Sequence, residues 1–355
     1  MIDLNNAAAI RALDTLKMLD LTMDYPNQFR QGYQFGLTFQ LPAAPERIDN
    51  VVILGTGGGS AASANFLRSY LFDRCSVPII SIQGYNAPGY VGKHSIVFAV
   101  SHSGKTEEII SSATQAIERG ATVIGLGAGG KLRAVIQQAG AAYLEIPGGF
   151  MPRIAVGYII MPILTVLNRF GLVPDFKGEL DEALKIMAEL APELGPDTPV
   201  AGNRSKQLAV ALGPHIPVIY GFADYYDAVA WRIKNQLGEN AKYMGFWNTI
   251  PHLHHDEAVG WEMQPELCKT LGFLLLRDKQ CETEQMAKRW AATTAILTER
   301  MGAVETVWAR GNGRLARMLS LVMIGDFFTI YMAIQKGVDP TPVAIIDLFK
   351  AKVGQ

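Results

Sequence analysis

The most constraining feature of this 355-residue chain is a repeated succession of apolar run, turn and helical segment. The first unit joins Ile48–Leu54 through the turn Gly55-Thr-Gly-Gly-Gly-Ser60 to a helical pattern over Ala61–Phe72. Short runs that are apolar throughout are typical of strands buried on both faces. Their alternation with helices predicts parallel β-sheets covered by helices on both sides, which is an α/β fold.

The same pattern recurs in both halves of the chain. Further buried strands are predicted at 77–82, 95–100, 122–126 and 142–146, and then at 216–222, 273–276 and 303–308. A helix over Ile154–Phe170 closes the first half. We predict a helical N-terminal segment of two helices with a break at Met23–Phe29, two α/β units and a helical linker. The predicted boundaries are 1–46, 47–172, 173–204 and 205–355, the last including a C-terminal tail.

Composition narrows the class of function. Hydrophobic residues make up 49% of the chain and charged residues 18%, with a net charge of −1 and no long basic run. Neither nucleic acid nor an anionic membrane is therefore a predicted partner. No signal peptide is evident, apolar runs fall short of about 20 residues, and the three cysteines lack metal-like spacing. A cytoplasmic, reducing environment is the expectation.

A hydroxyl-rich loop is the strongest functional signal. Ser101-His-Ser-Gly-Lys-Thr-Glu-Glu108 follows the apolar run Ser95–Val100 and precedes a helical segment. Ser101, Ser103 and Thr106 would reach a helix N-terminus, where free N–H groups and the helix dipole attract anions. We interpret the loop as a sugar-phosphate site. N-capping by Ser103 or Thr106 is a compatible alternative, and the position of Lys105 is left open.

The Gly-rich turn matches nucleotide sites poorly. A dinucleotide fingerprint needs glycine where Ser60 stands, and no acidic residue follows the second strand at a position to hold a ribose. No P-loop Lys is present either. We expect Gly57 and Gly58 to let the backbone approach a sugar, with Ser60 as a donor, although a tight packing turn is the alternative reading.

A second cluster combines histidines and carboxylates. Glu239 lies in Gly238-Glu-Asn240, and Pro251-His-Leu-His-His-Asp-Glu257 follows. A zinc site is one reading, but the spacing lacks the helical His-x-x-x-His geometry. The other reading makes Glu239 a proton-transfer base, one His an acid/base group, and Arg153 a cation near a developing enediolate. Taken alone, Arg153 is better explained as a surface or ion-paired residue.

Together these motifs resemble sugar isomerase (SIS) domain proteins, and more closely the bifunctional phosphoglucose/phosphomannose isomerase family. The resemblance covers nearly the whole chain. Ser-x-Ser-Gly-x-Thr-Glu-Glu is general to SIS proteins, whereas Glu239-Asn240, His255-Asp-Glu-Ala-Val-Gly260 and the tail Gly337–Lys350 narrow it to this family. It implies two doubly wound SIS-type subdomains with parallel sheets, and a helical tail.

The resemblance also implies a cofactor-independent and metal-independent aldose–ketose isomerase acting on glucose 6-phosphate or mannose 6-phosphate and fructose 6-phosphate. Glu239 would move the proton between C1 and C2, and Arg153 would stabilise the cis-enediolate. His255 would open the ring, and Lys350 would bind near the ring oxygen. Gly57, Gly58 and Ser60 would approach the sugar, with Ser101, Ser103 and Thr106 at its phosphate. The family forms homodimers in which this His reaches the partner's site.

The chain departs from the family at three places. Asp256 replaces the usual Asn beside His255, which could raise the pKa of that histidine. His102 and Lys105 replace the usual Tyr and Asn of the phosphate loop and could add positive charge. His254 competes with His255, which we prefer because it keeps the spacing to Gly260.

Two other functions stay open at this point. One is a phosphosugar aminoisomerase, deglycase or lyase on the same scaffold, which Asp256 keeps in consideration. The other is a non-catalytic sugar-phosphate regulator, which would have no need of Glu239, His255 and Lys350 together.

Overall fold

The computed structural model describes residues 1–353, which form nine β-strands and fourteen α-helices; residues 354 and 355 of the predicted tail lie outside the described part. The strands are β1 (Asn50–Leu54), β2 (Ile79–Ile82), β3 (Ser95–Val100), β4 (Thr122–Gly127), β5 (Ala142–Glu145), β6 (Ile216–Phe222), β7 (Phe246–Ile250), β8 (Leu271–Arg277) and β9 (Ala303–Trp308).

The helices precede, connect and follow these strands. They are α1 (Ala7–Leu13), α2 (Met18–Met23), α3 (Tyr25–Thr38), α4 (Ala62–Tyr70), α5 (Glu107–Glu118), α6 (Gly130–Gln138), α7 (Val156–Arg169), α8 (Lys177–Leu194), α9 (Arg204–Leu212), α10 (Asp227–Gln236), α11 (Pro265–Cys268), α12 (Glu284–Arg300), α13 (Arg314–Gln335) and α14 (Ala344–Val353). Short π-helical or 3₁₀ turns cover Gly57–Ala61, Pro152–Ile154, Val200–Gly202, Leu237–Ala241, His252–His255 and Glu257–Trp261.

The strands form two parallel sheets of the same topology. The first has the order β2-β1-β3-β4-β5 and the second the order β7-β6-β8-β9. In each sheet the second strand lies on one side of the first and the third strand on the other. The loops after the first and third strands therefore diverge and leave a crevice at the carboxyl edge, where open α/β sheets bind ligands.

A layer of helices packs between the two sheets. Val51 and Ile53 of β1 belong to the central core, whereas Val52 and Leu54 face α5 and α6 on the outer side. Successive side chains of a strand point to opposite faces, so both faces of β1 are covered and the strand is apolar throughout. Helix α12 covers the outer face of the second sheet.

Helix α13 is the centre of this core. It is buried from Leu315 to Ile334 and packs against α8, α9 and α10. It is also the one helix of the described residues long and apolar enough to cross a membrane, yet 94% of its apolar window is buried inside the protein. A helix that is apolar on all sides and enclosed by other elements is a core helix.

The predicted α/β class with two parallel, doubly wound sheets is confirmed. The eight predicted strands are present with end shifts of one or two residues. The edge strand β7 was missed because Phe246 and Trp247 are exposed and polar residues follow, so no buried apolar run marks it. The N-terminal segment has three helices rather than two. Helix α3 begins at Tyr25, inside the predicted break, because Pro26 lies in its first turn, where proline costs no helical hydrogen bond.

The division at 46, 172 and 204 stays a proposal. The two sheets lie within the proposed units, since β1–β5 span residues 50–145 and β6–β9 span residues 216–308. Across the proposed boundaries, however, α3 packs against α7, and α8 packs against α13, in one continuous core.

Candidate active site

The carboxylate of Glu239 is the centre of the site. Glu239 lies in the π-helical turn Leu237–Ala241, which continues α10 and ends at Lys242 in the left-handed region. Its Oε1 accepts a hydrogen bond of 3.1 Å from the N–H of Gly58, in the Gly-rich turn after β1. Its Oε2 lies 3.5 Å from Nη1 of Arg153. The fold thus brings together three residues that the sequence separates by about one half of the chain.

Gly58 has to be glycine for this contact to exist. A Cβ built on Gly58 would lie 2.1 Å from Glu239 Oε1 and 3.2 Å from its carboxyl carbon. The neighbouring Gly59 is equally restricted, because its Cβ would lie 2.4 Å from the carbonyl oxygen of Pro152. Close approach therefore requires glycine at positions 58 and 59, and at Gly58 the approaching group is a carboxylate of the protein. Gly57 meets nothing within 4 Å but has φ +70°, which favours glycine, and the approach of this turn to a sugar stays a prediction.

Arg153 is buried, with 1% of its side chain exposed, which excludes the surface reading. Its Nε donates to Asn240 Oδ1 at 2.6 Å, and its Nη2 donates to the carbonyls of Pro340 and Thr341 at 2.9 and 2.8 Å. Burial lowers the pKa of Arg153, while the charge of Glu239 opposes that shift. The guanidinium therefore fastens the Glu239 turn to the start of the C-terminal tail.

A large cavity opens beside Glu239. Its volume is about 1250 Å³, and its lining includes Gly57, Gly58 and Glu239 with an apolar wall of aromatic and aliphatic residues. That wall contains Trp231, Tyr243, Met244, Phe246, Trp247, Val343 and Ile345. Lys242 also lines the cavity, and its Nζ donates to the carbonyls of Glu239, Asn240 and Pro340. Burial lowers the pKa of Lys242 to about 8.

A buried ion pair supports the site from behind. Arg232 and Asp326 are 3% and 0% exposed and are joined at 2.6 Å. Arg232 also donates to the carbonyls of Gly58 (3.0 Å) and Arg153 (2.9 Å), and Tyr25 donates to Asp326 at 2.7 Å. Gly58 and Arg153 both contact the Glu239 carboxylate. Because one guanidinium binds the backbone of both, the Gly-rich turn is held at a fixed distance from Arg153.

The hydroxyl-rich loop lies at the carboxyl end of β3, next to the Gly-rich turn. Ser101 is buried, and its Oγ is 2.8 Å from Thr106 Oγ1. Thr106 is the N-cap residue of α5, but its hydroxyl makes no capping bond, so the pure capping alternative does not hold for it. Ser103 is exposed and its Oγ accepts from the N–H of Lys105 at 3.3 Å. The first-turn amides of α5 are left without a side-chain acceptor from the N-cap.

The loop after β4 sets the shape of this hydroxyl-rich loop. Gly104 has φ +63°, and a Cβ there would lie 1.7 Å from the carbonyl oxygen of Gly129. The N–H of Leu132 donates to the carbonyl of Gly104 at 2.9 Å. Gly104 is therefore needed for both its conformation and its close packing.

His102 does not supply the positive charge that the sequence suggested. Its ring is buried, and Nε2 lies 3.1 Å from the carbonyl oxygen of Pro147. Burial lowers its pKa below 6.5, so the ring is neutral near pH 7. Lys105 is exposed and lies next to Ser103, where a mobile ammonium can reach an anion.

The histidine cluster separates into residues with different partners. His254 Nε2 is 2.7 Å from Thr293 Oγ1, and its Nδ1 is 3.0 Å from Arg289. Burial is the largest cause of the lowered pKa of His254. His255 is exposed, which favours it over His254 as the group free to act. Asp256 contacts His252 at 3.1 Å and caps the turn Glu257–Trp261, so the expected pairing of Asp256 with His255 is not what the structure has.

Glu239 and His255 of one chain lie at opposite ends of the second sheet. The Glu239 turn is at the amino end, because a Cβ on Gly245 would lie 2.6 Å from Leu237 and 3.3 Å from the carbonyl of Pro217. His255 follows the carboxyl end of β7, where the N–H of Ala223 bonds to the carbonyl of Ile250. Five strand residues at about 3.3 Å each separate the two ends by roughly 16 Å.

Two further predicted residues lie outside the cavity wall. Lys350 is on α14, with 56% of its side chain exposed, 4.0 Å from Asp347. Ser60 is buried, 5% exposed, in the turn behind Gly57 and Gly58. Among residues 1–353, no group of three His, Cys, Asp or Glu side chains is arranged to hold a metal ion.

Comparison with known proteins decides the family. The bifunctional phosphoglucose/phosphomannose isomerase of Caldicellulosiruptor bescii is 33% identical over 338 residues, which is 95% of this chain and 99% of that protein. The chain belongs to the bifunctional phosphoglucose/phosphomannose isomerase family. The protein of the same name from Thermoplasma acidophilum is 32% identical, covering 86% of this chain and 89% of that one. Residues 201–353 match the bacterial phospho-glucose isomerase C-terminal SIS domain.

Solved structures agree on the fold. A glucose-6-phosphate isomerase like protein from Thermus thermophilus has a TM-score of 0.64 at 20% identity, covering 98% of this chain and all of that one. The C-terminal domain of glucosamine-fructose-6-phosphate aminotransferase from Francisella tularensis has a TM-score of 0.66 at 13% identity, covering 92% and 98% of the two chains. Similarities at this level of identity establish the two-sheet SIS fold of the family.

Several site residues of this family member escaped the sequence analysis. They are Arg232, Gln236, Lys242 and Asp326. Asn240 and Pro340–Thr341 belonged to the motifs that carried the family resemblance, but no role in the site was predicted for them. The helical spacing of Arg232, Gln236 and Asn240, four residues apart, places three polar side chains on one face of the segment. All three are buried, and that spacing was the available signal. Asp326 carried no such signal, because it is a single charge inside the apolar helix α13.

Proposed function

We propose that this protein isomerises glucose 6-phosphate and mannose 6-phosphate to fructose 6-phosphate, and back, without a cofactor. The observation that carries the proposal is the Glu239 carboxylate, held at a cavity wall by Gly58 N–H at 3.1 Å and Arg153 at 3.5 Å. The relatives from Caldicellulosiruptor bescii and Thermoplasma acidophilum are bifunctional phosphoglucose/phosphomannose isomerases, which supports the same reaction.

In the proposed reaction Glu239 takes a proton from C2 of the open-chain aldose and delivers it to C1, or the reverse. The C2–H electron pair forms the C1=C2 double bond, and the carbonyl pair moves to the oxygen on C1, which gives the enediolate. The hydroxyl proton on O2 then passes to O1, the C2=O bond forms, and Glu239 returns its proton to C1. Arg153 lies next to the carboxylate in a buried setting, where a fixed positive charge stabilises developing negative charge more than it does in water. A carboxylate able to serve both carbons from one position suits this proton shuttle.

The phosphate is assigned to the hydroxyl-rich loop. The uncapped first turn of α5 offers N–H groups, and Ser101, Ser103 and Thr106 offer hydroxyls around it. Lys105 is positioned to add a mobile positive charge. Ser60, buried at the base of the neighbouring turn, is proposed as a further donor to the substrate.

Ring opening is assigned to His255 of a second copy, which makes the working form a homodimer. The roughly 16 Å between the two ends of β7 argues against a site built from Glu239 and His255 of one chain. Exposed apolar residues near His255, including Val259 (65% exposed) and Met263 (83%), are typical of a surface covered by a partner. Lys350 is placed near the ring oxygen, on the exposed helix α14 whose first turn lines the cavity.

A cytoplasmic location is part of the same proposal. Cys75, Cys268 and Cys281 are all free thiols. Unpaired cysteines fit a reducing compartment.

The direct test is fructose 6-phosphate turnover in the presence of EDTA, with glucose 6-phosphate and mannose 6-phosphate scored separately. The wild-type protein is expected to form both, and Glu239→Gln is expected to lose at least about 10³-fold in kcat while still binding substrate. Turnover of Glu239→Gln at the wild-type rate would remove Glu239 from the mechanism. An amino-sugar phosphate consumed in preference would favour the aminoisomerase alternative.

The composite site is tested by mixing two inactive variants. A dimer of one Glu239→Gln chain and one His255→Ala chain contains one intact site if His255 acts across the interface. An equal mixture, dissociated and reassembled, is then expected to recover about a quarter of wild-type activity. No recovery from a mixture shown to contain mixed dimers would contradict the assignment.

A further inference from the structure

Gln236 stands out among the buried polar groups that the mechanism above does not use. Its side chain is 0% exposed, and its Oε1 has no hydrogen-bond partner among residues 1–353. A buried acceptor without a partner destabilises the folded state by more than an ordinary hydrogen bond stabilises it. The position of Gln236 Oε1 in the site offers a reason why this acceptor is buried without a partner.

This unpartnered oxygen lies beside the proton-transfer base. A Cβ built on Gly58 would be 3.5 Å from Gln236 Oε1 and 2.1 Å from Glu239 Oε1. The two oxygens therefore lie beside the same backbone position and are no more than about 5.6 Å apart, a separation that one water can bridge. Neither oxygen can donate while Glu239 is ionised.

The orientation of the Gln236 amide follows from its other end. Its Nε2 donates to Asp326 Oδ1 at 3.3 Å. Asp326 needs donors, and it also accepts from Arg232 at 3.1 and 2.6 Å and from Tyr25 at 2.7 Å. Reversing the amide would place its oxygen against the carboxylate, so Asp326 directs the NH₂ group toward itself and the oxygen toward Glu239.

We propose that Gln236 is a positioning residue whose amide oxygen accepts a hydrogen bond from Glu239 when Glu239 carries the substrate's proton. The assignment rests on the proposed isomerase function, in which Glu239 is protonated in the enediolate intermediate. The bond is absent from the ionised resting state and forms after proton abstraction. An interaction made on the way to the intermediate, but not in the ground state, raises kcat rather than substrate affinity.

The charged and titratable groups around Gln236 keep this bond specific to Glu239. Asp326 and Arg232 form a closed ion pair behind it, and burial raises the pKa of Tyr25 well above its ordinary value, so Tyr25 stays a neutral donor. On the cavity side, Arg153 and the N–H of Gly58 contact the Glu239 carboxylate. Glu239 is the group that changes protonation during the proposed turnover.

Gln236→Met tests the assignment, because methionine keeps the length of the side chain and removes the acceptor. It also removes the donor to Asp326, which retains its bonds from Arg232 and Tyr25. We expect kcat to fall about tenfold with KM within about twofold of wild type. The acid limb of the pH profile of kcat/KM is expected to move to lower pH by up to about one unit, since the protonated base loses a stabilising bond. A role confined to structure would leave that limb in place.

Gln28→Met is the matched control. Gln28 is also buried, but its Oε1 accepts from the N–H of Gly157 at 2.7 Å. This variant is expected to lose thermal stability with kcat near wild type, whereas Gln236→Met loses kcat. Wild-type kcat and an unmoved acid limb in Gln236→Met would overturn the assignment.

The activity of the wild-type protein distinguishes a failure of the proposed function from a failure of this assignment, which depends on it. A wild-type protein that isomerises none of the three sugar phosphates overturns the proposed function and this assignment with it. If Gln236→Met does not fold, Gln236→Asn, which keeps the amide but withdraws the oxygen by one methylene, is measured in the same way. Failure of both variants to fold would make Gln236 a structural residue and reject the proposal.

Discussion

Replacing Gly58 by alanine is the sharpest perturbation of the site, because it moves one carboxylate and little else. The new Cβ would stand 2.1 Å from Glu239 Oε1, whereas ordinary van der Waals contact begins near 3.4 Å. The carboxylate oxygen therefore has to move by more than about 1 Å. The flexible end of Glu239 can make that movement, so the fold itself is expected to tolerate the change.

The expected loss is about 10²-fold in kcat, since a displacement of about 1 Å in a catalytic group costs that much. This corresponds to about 2.7 kcal/mol of transition-state stabilisation. Gly58 has an ordinary backbone conformation in a π-helical turn, so alanine there leaves the thermal midpoint unchanged or slightly higher.

The assay is steady-state fructose 6-phosphate turnover together with thermal unfolding of the same preparations. Gly178→Ala in α8 is the control, because a Cβ there meets nothing within 4 Å and lies far from the cavity. It is expected to keep wild-type kcat. A Gly58→Ala protein with kcat within about threefold of wild type and an unchanged midpoint would refute the geometric argument.

Two further perturbations test the surroundings of the site. Arg232→Met leaves Asp326 as an uncompensated buried charge and is expected to lower the unfolding free energy, measured by urea titration, by about 3–5 kcal/mol. Arg11→Met, which breaks an exposed ion pair with Asp197, is expected to lower it by less than about 1 kcal/mol. Equal losses in the two variants would contradict the burial argument. His102→Gln tests whether the buried histidine is neutral. Because burial lowers the folded-state pKa of His102 below 6.5, the wild-type protein loses stability as pH falls through 6.5. The thermal midpoint of the variant is expected to fall less than that of the wild-type protein between pH 7 and 5. A steeper acid dependence in the variant would show that His102 is protonated in the folded protein.

Much of the fold and part of the site follow from local sequence signals. Strands buried on both faces are apolar throughout, so β1, β3, β6 and their neighbours were predictable, and their alternation with helices implied parallel sheets. The glycines after β1 and the hydroxyls after β3 indicated the carboxyl edge of the first sheet, because the residue types that form turns can be recognised within a few consecutive positions. Strand β7 has no buried apolar run, because Phe246 and Trp247 at its start are exposed, so its sequence does not indicate a strand.

Only the tertiary structure decided how the distant parts of the site meet. The contact of Glu239 with Gly58 and Arg153, and the bonds from Arg153 to Pro340 and Thr341, join segments up to about two hundred residues apart. The partners of His102 and Asp256 were likewise unpredictable from the sequence. Local propensity acts over a few residues, whereas burial and polar pairing depend on which elements pack together. The sequence therefore identified several residues that act in the proposed site, but packing determined which residues they contact.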